Sequence, residues 1–168
     1  MITWNIGIND FRNARNTYKS KKCGGSDNQD CLRSAVTKFK NNWDGIINEI
    51  LIRRGTSYTI IRTMDIYNPW VAADKAKNTT QDRSETTVKG NDFQVLKYYL
   101  DQMNVHIGTT TTNNFIPCAG VYLTFNGPNG DGDPVTKGYM AGDGLHPSDA
   151  GHQLLANLLR GLGYAPLR

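Results

Sequence analysis

The chain has 168 residues, a formal net charge of +4, 38% hydrophobic residues and 20% charged residues. This length predicts a single domain with a buried core, and the composition is typical of a globular protein rather than a disordered or fibrous one. No apolar run reaches the roughly 18 residues of a membrane span, and the basic residues at 19–22 lack the aromatic partners of a single-strand binder. We therefore expect neither a membrane span nor a nucleic-acid partner.

The first third of the chain predicts two strands and one long helix. Residues 2–6 (Ile-Thr-Trp-Asn-Ile) predict a short strand that ends at Gly7. Residues 12–30 are polar, basic and interrupted by glycine, which predicts a long loop. Apolar residues then recur every three or four positions and predict an amphipathic helix that Gly55 ends: Leu32, Val36, Phe39, Trp43, Ile46, Ile47, Ile50 and Leu51. A β-branched run at 58–63 predicts the second strand.

The middle of the chain predicts a loop, a helix and a strand. Residues 68–90 are polar and show no periodicity, so they predict a loop near one end of the sheet. A second helix is predicted to end at His106, and its apolar face consists of Phe93, Leu96, Leu100 and Met103. Residues 116–123 predict the third strand.

The last part of the chain predicts a turn followed by a helix. Residues 126–133 are rich in turn formers, and their aspartates lack the closing glutamate of a calcium loop, so no metal is expected there. A terminal helix, opened by Pro147 or Ser148 and closed by Gly163, has one apolar face: Ala150, Leu154, Leu155, Leu158, Leu159 and Leu162. Strands that alternate with helices predict an α/β fold with a parallel sheet.

The three cysteines differ in their surroundings. Cys23 and Cys31 bracket a segment rich in glycine, asparagine and aspartate, where a disulfide would close a short loop. Two unrelated thiols are the alternative, and a metal site is disfavoured because no second Cys or His pair accompanies them. A disulfide would favour an extracellular origin. Cys118 lies in an apolar run and predicts a buried thiol.

The segment Asp143-Gly144-Leu145-His146-Pro147 directly precedes the terminal helix. A carboxylate at this spacing can accept a hydrogen bond from imidazole Nδ1 and leave Nε2 free to act as a general base. The alternative is an aspartate that caps a turn beside an exposed histidine. His152, six residues after His146, is interpreted as a surface residue.

Near the other end of the chain, Gly7-Ile8-Asn9-Asp10 follows the first predicted strand. The Asn9 side-chain amide, held at the end of a strand, could donate a hydrogen bond to an oxyanion that forms during acyl transfer. The alternative is an Asn-Asp pair that forms a turn. Because active sites of α/β proteins gather at the carboxyl ends of strands, we expect Asn9 and His146 to lie at one edge of the sheet.

These two segments together resemble motifs of the SGNH (GDSL-type) hydrolases, a family of esterases and lipases. The resemblance covers about residues 1–162 and implies a three-layer, flavodoxin-like α/β fold. It also implies a carboxylic ester hydrolase acting on short-chain or acetyl esters, with His146 as the base, Asp143 as its partner and Asn9 as an oxyanion donor. No metal or organic cofactor is implied.

The family's nucleophilic serine would precede residue 1, so the resemblance implies a truncated domain that lacks its N-terminal strands. None of the chain's serines follows a predicted strand: Ser20, Ser26, Ser34, Ser57, Ser84 and Ser148. We expect the strand that begins at Ile2 and ends at Ile6 to be a bare edge, covered in a homo-oligomer. Two functions stay open: a weak esterase that uses water, and a catalytically inactive fragment that serves as a binding or oligomerisation module.

Overall fold

The computed structural model describes residues 1–76 and 91–165 and shows a mixed α/β protein with a small parallel sheet. The strands are β1 (Ile2–Trp4), β2 (Ile61–Met64) and β3 (Cys118–Ala119), in the order β1-β2-β3. Ile2 pairs with Ile61, and Thr63 pairs with Cys118. The predicted parallel sheet is therefore confirmed, and β1 is an edge strand among the described residues.

Six helices connect and cover these strands within the described residues. They are α1 (Ile8–Lys19), α2 (Asp30–Arg53), α3 (Val71–Lys75), α4 (Asp92–Asn113), α5 (Val121–Asn126) and α6 (Asp149–Gly161). None of these helices is both long and apolar enough to cross a membrane.

The core lies on both faces of the sheet because successive strand residues point to opposite sides. Ile61 belongs to the larger cluster, which α1, α2 and α4 build. Met64, three residues later, belongs to a smaller cluster with α5, and the leucines of α6 pack against it. Among the described helices, α1, α2 and α4 cover one face of the sheet, and α5 and α6 cover the other.

The prediction of a loop over 12–30 is wrong for its first part, because α1 extends to Lys19. The buried positions of α1 have helical spacing, but one of the four is a charged residue: Phe11, Ala14, Arg15 and Tyr18. Arg15 is buried because it forms an ion pair with Asp74 at 2.5 Å. A charged residue in the buried face hides the apolar period from the sequence.

The predicted third strand, 116–123, is also mostly wrong. Only Cys118–Ala119 form β3, and α5 begins at Val121. The first turn of α5 is stabilised by Asp65, whose Oδ1 accepts a hydrogen bond from Tyr122 N at 2.7 Å. A short apolar run does not by itself distinguish a strand from a buried helix.

The second predicted helix continues beyond its expected end, so His106 lies inside α4 rather than at its end. In the Thr-rich last turns the hydroxyls are satisfied by carbonyls of the preceding turn, as Thr111 Oγ1 donates to Ile107 O at 2.7 Å. His106 Nε2 instead contacts Asp44 Oδ1 of α2 at 2.7 Å. It has a structural partner away from the predicted site.

Two of the predicted helices are confirmed with their ends. The first is α2, which ends just before Gly55, a residue with a φ of 63°. The second is α6, whose N-cap is Ser148, with Oγ accepting a hydrogen bond from Gly151 N at 3.2 Å. The polar loop predicted for 68–90 is wrong at 71–75, which form α3, and residues 77–90 lie outside the described residues.

The structure pairs Cys23 and Cys31 in a disulfide whose Cα atoms lie 4.8 Å apart. The enclosed loop is tied to the helix ends, since Asn28 Nδ2 donates to Tyr18 O at 2.9 Å. The disulfide therefore joins the segment that follows α1 to the start of α2.

The third cysteine, Cys118, is partly buried rather than fully buried as expected. Burial raises the pKa of its thiol to about 12.

Replacing both disulfide cysteines by serine is expected to lower the free energy of unfolding by about 2–3 kcal/mol, because the cross-link restricts the unfolded chain. Urea unfolding of the oxidised protein and the double variant measures the difference. Dithiothreitol should destabilise only the protein that has the disulfide. Equal midpoints of unfolding for the two proteins would contradict this expectation.

Candidate active site

The loop between Met140 and Pro147 carries the predicted Asp-His pair. Its ends are held together like a hairpin, with Ala141 N donating to His146 O at 2.8 Å and Ser148 N donating to Tyr139 O at 2.9 Å. Met140 and Pro147 form an antiparallel bridge at the same place. The loop is therefore fixed at its base, directly before α6.

Within this loop the structure brings Asp143 and His146 into contact. Asp143 Oδ2 lies 2.5 Å from His146 Nδ1, and Asp143 Oδ1 accepts hydrogen bonds from the backbone N–H groups of Leu145 and His146, both at 2.9 Å. The two side chains are exposed, at 50% for Asp143 and 70% for His146. The ring is thus oriented by Nδ1, and Nε2 makes no hydrogen bond among the described residues.

The charge of Asp143 is stabilised by these same contacts. The hydrogen bond from the His146 side chain holds the pKa of Asp143 well below its usual range, and the backbone N–H groups of His146 and Leu145 act in the same direction. An ionised carboxylate facing Nδ1 favours a proton on Nδ1 and stabilises a positive charge on the ring. This is the state that a general base requires of its partner.

Tyr67 connects the loop to the sheet. It follows β2, and its hydroxyl donates a hydrogen bond to Leu145 O at 2.8 Å. Burial raises the pKa of Tyr67 to about 12, with a further contribution from the charge of Asp143, so the phenol keeps its proton. Tyr67 therefore holds the residue next to His146 in place.

Asn9 lies in the first turn of α1, just beyond the carboxyl end of β1. Gly7 makes the turn from strand to helix with a φ of 111°, a conformation that other residues rarely adopt. A Cβ atom on Gly7 would lie 2.6 Å from a ring carbon of Phe39 and 2.7 Å from Ile66 Cδ1. The Asn9 side chain is exposed and makes no hydrogen bond within residues 1–76 and 91–165.

A short series of contacts links the turn that carries Asn9 to the loop that carries Asp143 and His146, at the carboxyl edge of the sheet. Gly7 packs against Ile66, the next residue is Tyr67, and Tyr67 bonds to Leu145 beside His146. Ile66 is itself fixed, because Asn104 bonds to its backbone N–H and its carbonyl, each at 2.8 Å. No hydrogen bond joins Asn9 to the Asp-His pair in the part of the chain that the structure describes.

No described serine is hydrogen-bonded to His146. Ser148 is used by the helix cap, and its Oγ donates to Gly138 O at 2.6 Å. Ser20 Oγ donates to Thr17 O at 2.8 Å, and Ser84 lies outside the described residues. The other described serines are exposed: Ser26, Ser34 and Ser57. The described residues likewise contain no group of three or more His, Cys, Asp or Glu side chains that could hold a metal ion.

Sequence reasoning did not identify Tyr67 as part of this site, and it named Gly7 without its packing. Tyr67 acts through a contact 78 positions away along the chain, and no local pattern announces such a contact. Gly7 did carry a signal, because a glycine between a strand and a polar pair indicates a tight change of direction. Its packing against Phe39 and Ile66 required the structure.

Comparison with family models, with curated proteins and with solved structures gave no match to this chain. Its function is therefore inferred from the side chains of the site and their surroundings.

The titration of Asp143 provides a direct measurement of the pair. The folded-state pKa of Asp143 is depressed, so its hydrogen bonds contribute to folding stability at pH values above the ordinary pKa of aspartate. This contribution is lost as the pH falls through the lower, folded-state pKa. The carboxyl ¹³C shift of Asp143 should therefore titrate well below the usual range for aspartate. His146→Ala should move the midpoint upward, since the imidazole is the largest cause, whereas His152→Ala should leave it unchanged. Equal midpoints in the two variants would contradict the assignment.

Proposed function

We propose that this protein is a carboxylic ester hydrolase acting on short-chain or acetyl esters. The observation that carries the proposal is the contact between Asp143 and His146 on an exposed loop, with no hydrogen bond to Nε2 from the residues that the structure describes. A base that is oriented by a carboxylate and open to solvent suits acyl transfer to water or to a hydroxyl. The reaction class requires neither a metal nor an organic cofactor.

In the proposed mechanism His146 Nε2 removes a proton from water as the water oxygen attacks the ester carbonyl. The ionised Asp143 stabilises the imidazolium that results. The Asn9 amide donates a hydrogen bond to the carbonyl oxygen as it becomes negative, a contribution of about 3 kcal/mol in enzymes where such donors were removed. When the tetrahedral intermediate collapses, Nε2 returns the proton to the departing alcohol oxygen and the acid is released.

We further propose that the fold is that of the SGNH hydrolases, with a three-layer, flavodoxin-like sheet. The parallel strands, the asparagine after β1 and the Asp-x-x-His segment before α6 support this proposal. Without a serine, the expected rate is modest. Serine proteases that lose one member of the triad still retain roughly 10³–10⁴-fold acceleration over water. The disulfide favours a protein that folds in an oxidising compartment.

Hydrolysis of p-nitrophenyl acetate tests the proposal. The protein should release p-nitrophenol faster than buffer alone. His146→Ala should reduce this rate to the rate that an equal concentration of free histidine catalyses in solution. His152→Ala is the matched control, because His152 is an exposed histidine on the neighbouring first turn of α6, and it should keep the wild-type rate. Equal rates for the wild type and His146→Ala would refute the esterase proposal.

The free edge of β1 favours a second candidate function, a binding or oligomerisation module. β1 pairs only with β2 among the described residues, and Thr3 and Asn5 are exposed. Ile2 N donates to Ile60 O, so the alternating Thr3 N–H points away from β2 toward the open edge. Such an edge pairs readily with another strand, and we propose a second copy of this chain as the partner.

Light scattering coupled to size-exclusion chromatography distinguishes this candidate. Thr3→Pro removes the outward N–H and should convert an oligomer to a monomer, whereas Thr3→Val keeps the N–H and should remain oligomeric. A monomeric wild type would exclude pairing through this edge and would leave the esterase proposal unaffected.

A further inference from the structure

The amino end of the sheet contains a buried positive charge with no negative partner among the described residues. Arg62 of β2 is only 4% exposed, and no carboxylate of residues 1–76 or 91–165 lies within salt-bridge distance of it. Its Nη1 donates to Ile61 O at 2.8 Å, and its Nη2 donates to Gly163 O at 3.0 Å and Ala165 O at 2.9 Å. These partners are all neutral carbonyls.

This arrangement differs from that of the other buried arginine described here. Arg15, which is 8% exposed, is neutralised by Asp74. Arg62 Nε, in contrast, is buried and has no hydrogen-bond partner within the described part of the chain. An arginine in a protein interior is normally paired with an anion, and a buried donor without an acceptor costs free energy. The Arg62 guanidinium can therefore still donate a hydrogen bond to a negatively charged acceptor.

Arg62 lines a cavity of about 260 Å³ that could contain such an acceptor. Thr56 and Thr59, which precede β2, contribute hydroxyl-bearing side chains to its wall. The remaining lining is mainly apolar: Ile61, Phe115, Pro117, Leu162 and Ala165. A guanidinium and hydroxyls within an apolar wall suit a ligand that has one anionic end and one compact apolar end.

Phe115 lines the same cavity from the end of α4. Its φ of 56° is that of the left-handed residue that closes the helix, with Phe115 N donating to Thr112 O at 3.2 Å and Ile116 N donating to Thr111 O at 2.9 Å. The ring is 85% exposed. The helix end therefore holds an exposed aromatic ring beside a cavity whose wall includes a buried arginine.

We propose that this cavity binds a small organic anion, a carboxylate carried on a compact apolar group. Arg62 and the threonine hydroxyls contact the carboxylate, and Phe115 packs against the apolar part. The cavity lies at the amino ends of β2 and β3, whereas Asp143 and His146 are held near the carboxyl end of β2 through Tyr67. It is thus a second site, independent of the proposed esterase chemistry.

Calorimetric titration and thermal unfolding with sodium benzoate test the proposal, with sodium chloride at equal ionic strength as the reference. At tenfold excess over its dissociation constant, benzoate should raise the midpoint of unfolding of the wild type by about 3–6 °C, and chloride should not. Arg62→Met should abolish the shift. Arg53→Met, at an exposed arginine of α2, should retain it in full.

Phe115→Gly separates the ligand site from a purely structural role. Glycine tolerates this φ, so the variant should unfold at a higher temperature than the wild type without ligand. Its affinity for benzoate should nevertheless fall by about threefold or more, because the ring contact is lost. Should Arg62→Met fail to fold, this variant decides alone.

Three results would overturn the proposal: no benzoate shift in the wild type, an equal shift in Arg62→Met, or an unchanged affinity in Phe115→Gly.

Discussion

Asp143→Asn is expected to lower the rate of ester hydrolysis by about 100-fold or more, while the loop keeps its shape. The new side chain retains a carbonyl oxygen that can accept the hydrogen bonds from the backbone N–H groups of Leu145 and His146. Its amide group, however, presents hydrogen atoms to His146 Nδ1 where the carboxylate presented an acceptor. The ring is then held with its proton on Nε2, which can no longer act as the base.

Steady-state rates of the wild type and Asp143→Asn with p-nitrophenyl acetate measure this effect. The lowered pKa of Asp143 keeps the wild-type carboxylate ionised at the pH of the assay. Asp143→Ala is the companion variant, since it removes both the partner of the ring and the acceptor of the loop. A wild-type rate in Asp143→Asn would show that the carboxylate has no part in catalysis.

Gly7→Ala is expected to lower the free energy of unfolding by about 3 kcal/mol, which combines backbone strain with overpacking. Its φ of 111° disfavours any side chain, and the added methyl group would collide with Phe39 and Ile66. The same variant should reduce esterase activity, because Gly7 positions the first turn of α1 and therefore Asn9. Urea unfolding and the p-nitrophenyl acetate rate are the two measurements.

The matched control is Gly45→Ala in α2. Apart from the nearby backbone of α2 itself, no described atom lies within 4 Å of a Cβ built on Gly45. Alanine stabilises a helix interior relative to glycine by about 0.5–1 kcal/mol. Gly45→Ala should therefore raise stability and leave the rate unchanged. If the two variants had the same stability, the packing assigned to Gly7 would be wrong.

The fold could be predicted from the sequence where apolar spacing and burial agree. The buried positions of α2, such as Leu32, Phe39 and Trp43, repeat at helical intervals, and the structure confirms the helix. α1 was missed because Arg15 occupies a buried position that only its distant partner Asp74 explains. β3 was overestimated because two strand residues and the helix after Gly120 share one apolar run.

The candidate site divides in the same way. Asp143 and His146 are three residues apart, so their contact depends on one loop and the sequence alone predicts it. Tyr67 acts through a contact 78 positions away, which no local pattern specifies. The same holds for Arg62 of the second cavity, whose carbonyl partners lie 101 and 103 positions away. The sequence also predicts Asn9 at a strand end, but the position of the first turn of α1 depends on how Gly7 packs.

The register of β1 has a consequence for how the chain reaches this fold. Ile2 finds its partner only at Ile61, so during synthesis the first strand must wait for nearly sixty further residues before it can pair. At typical elongation rates of about 5–20 residues per second, this delay lasts several seconds. Over the same interval α1 and α2 are complete and their disulfide can close, since Cys23 and Cys31 are eight positions apart. We therefore expect α1 and α2 to pack together before the sheet forms. Their surface is then available when β2 emerges and pairs with β1.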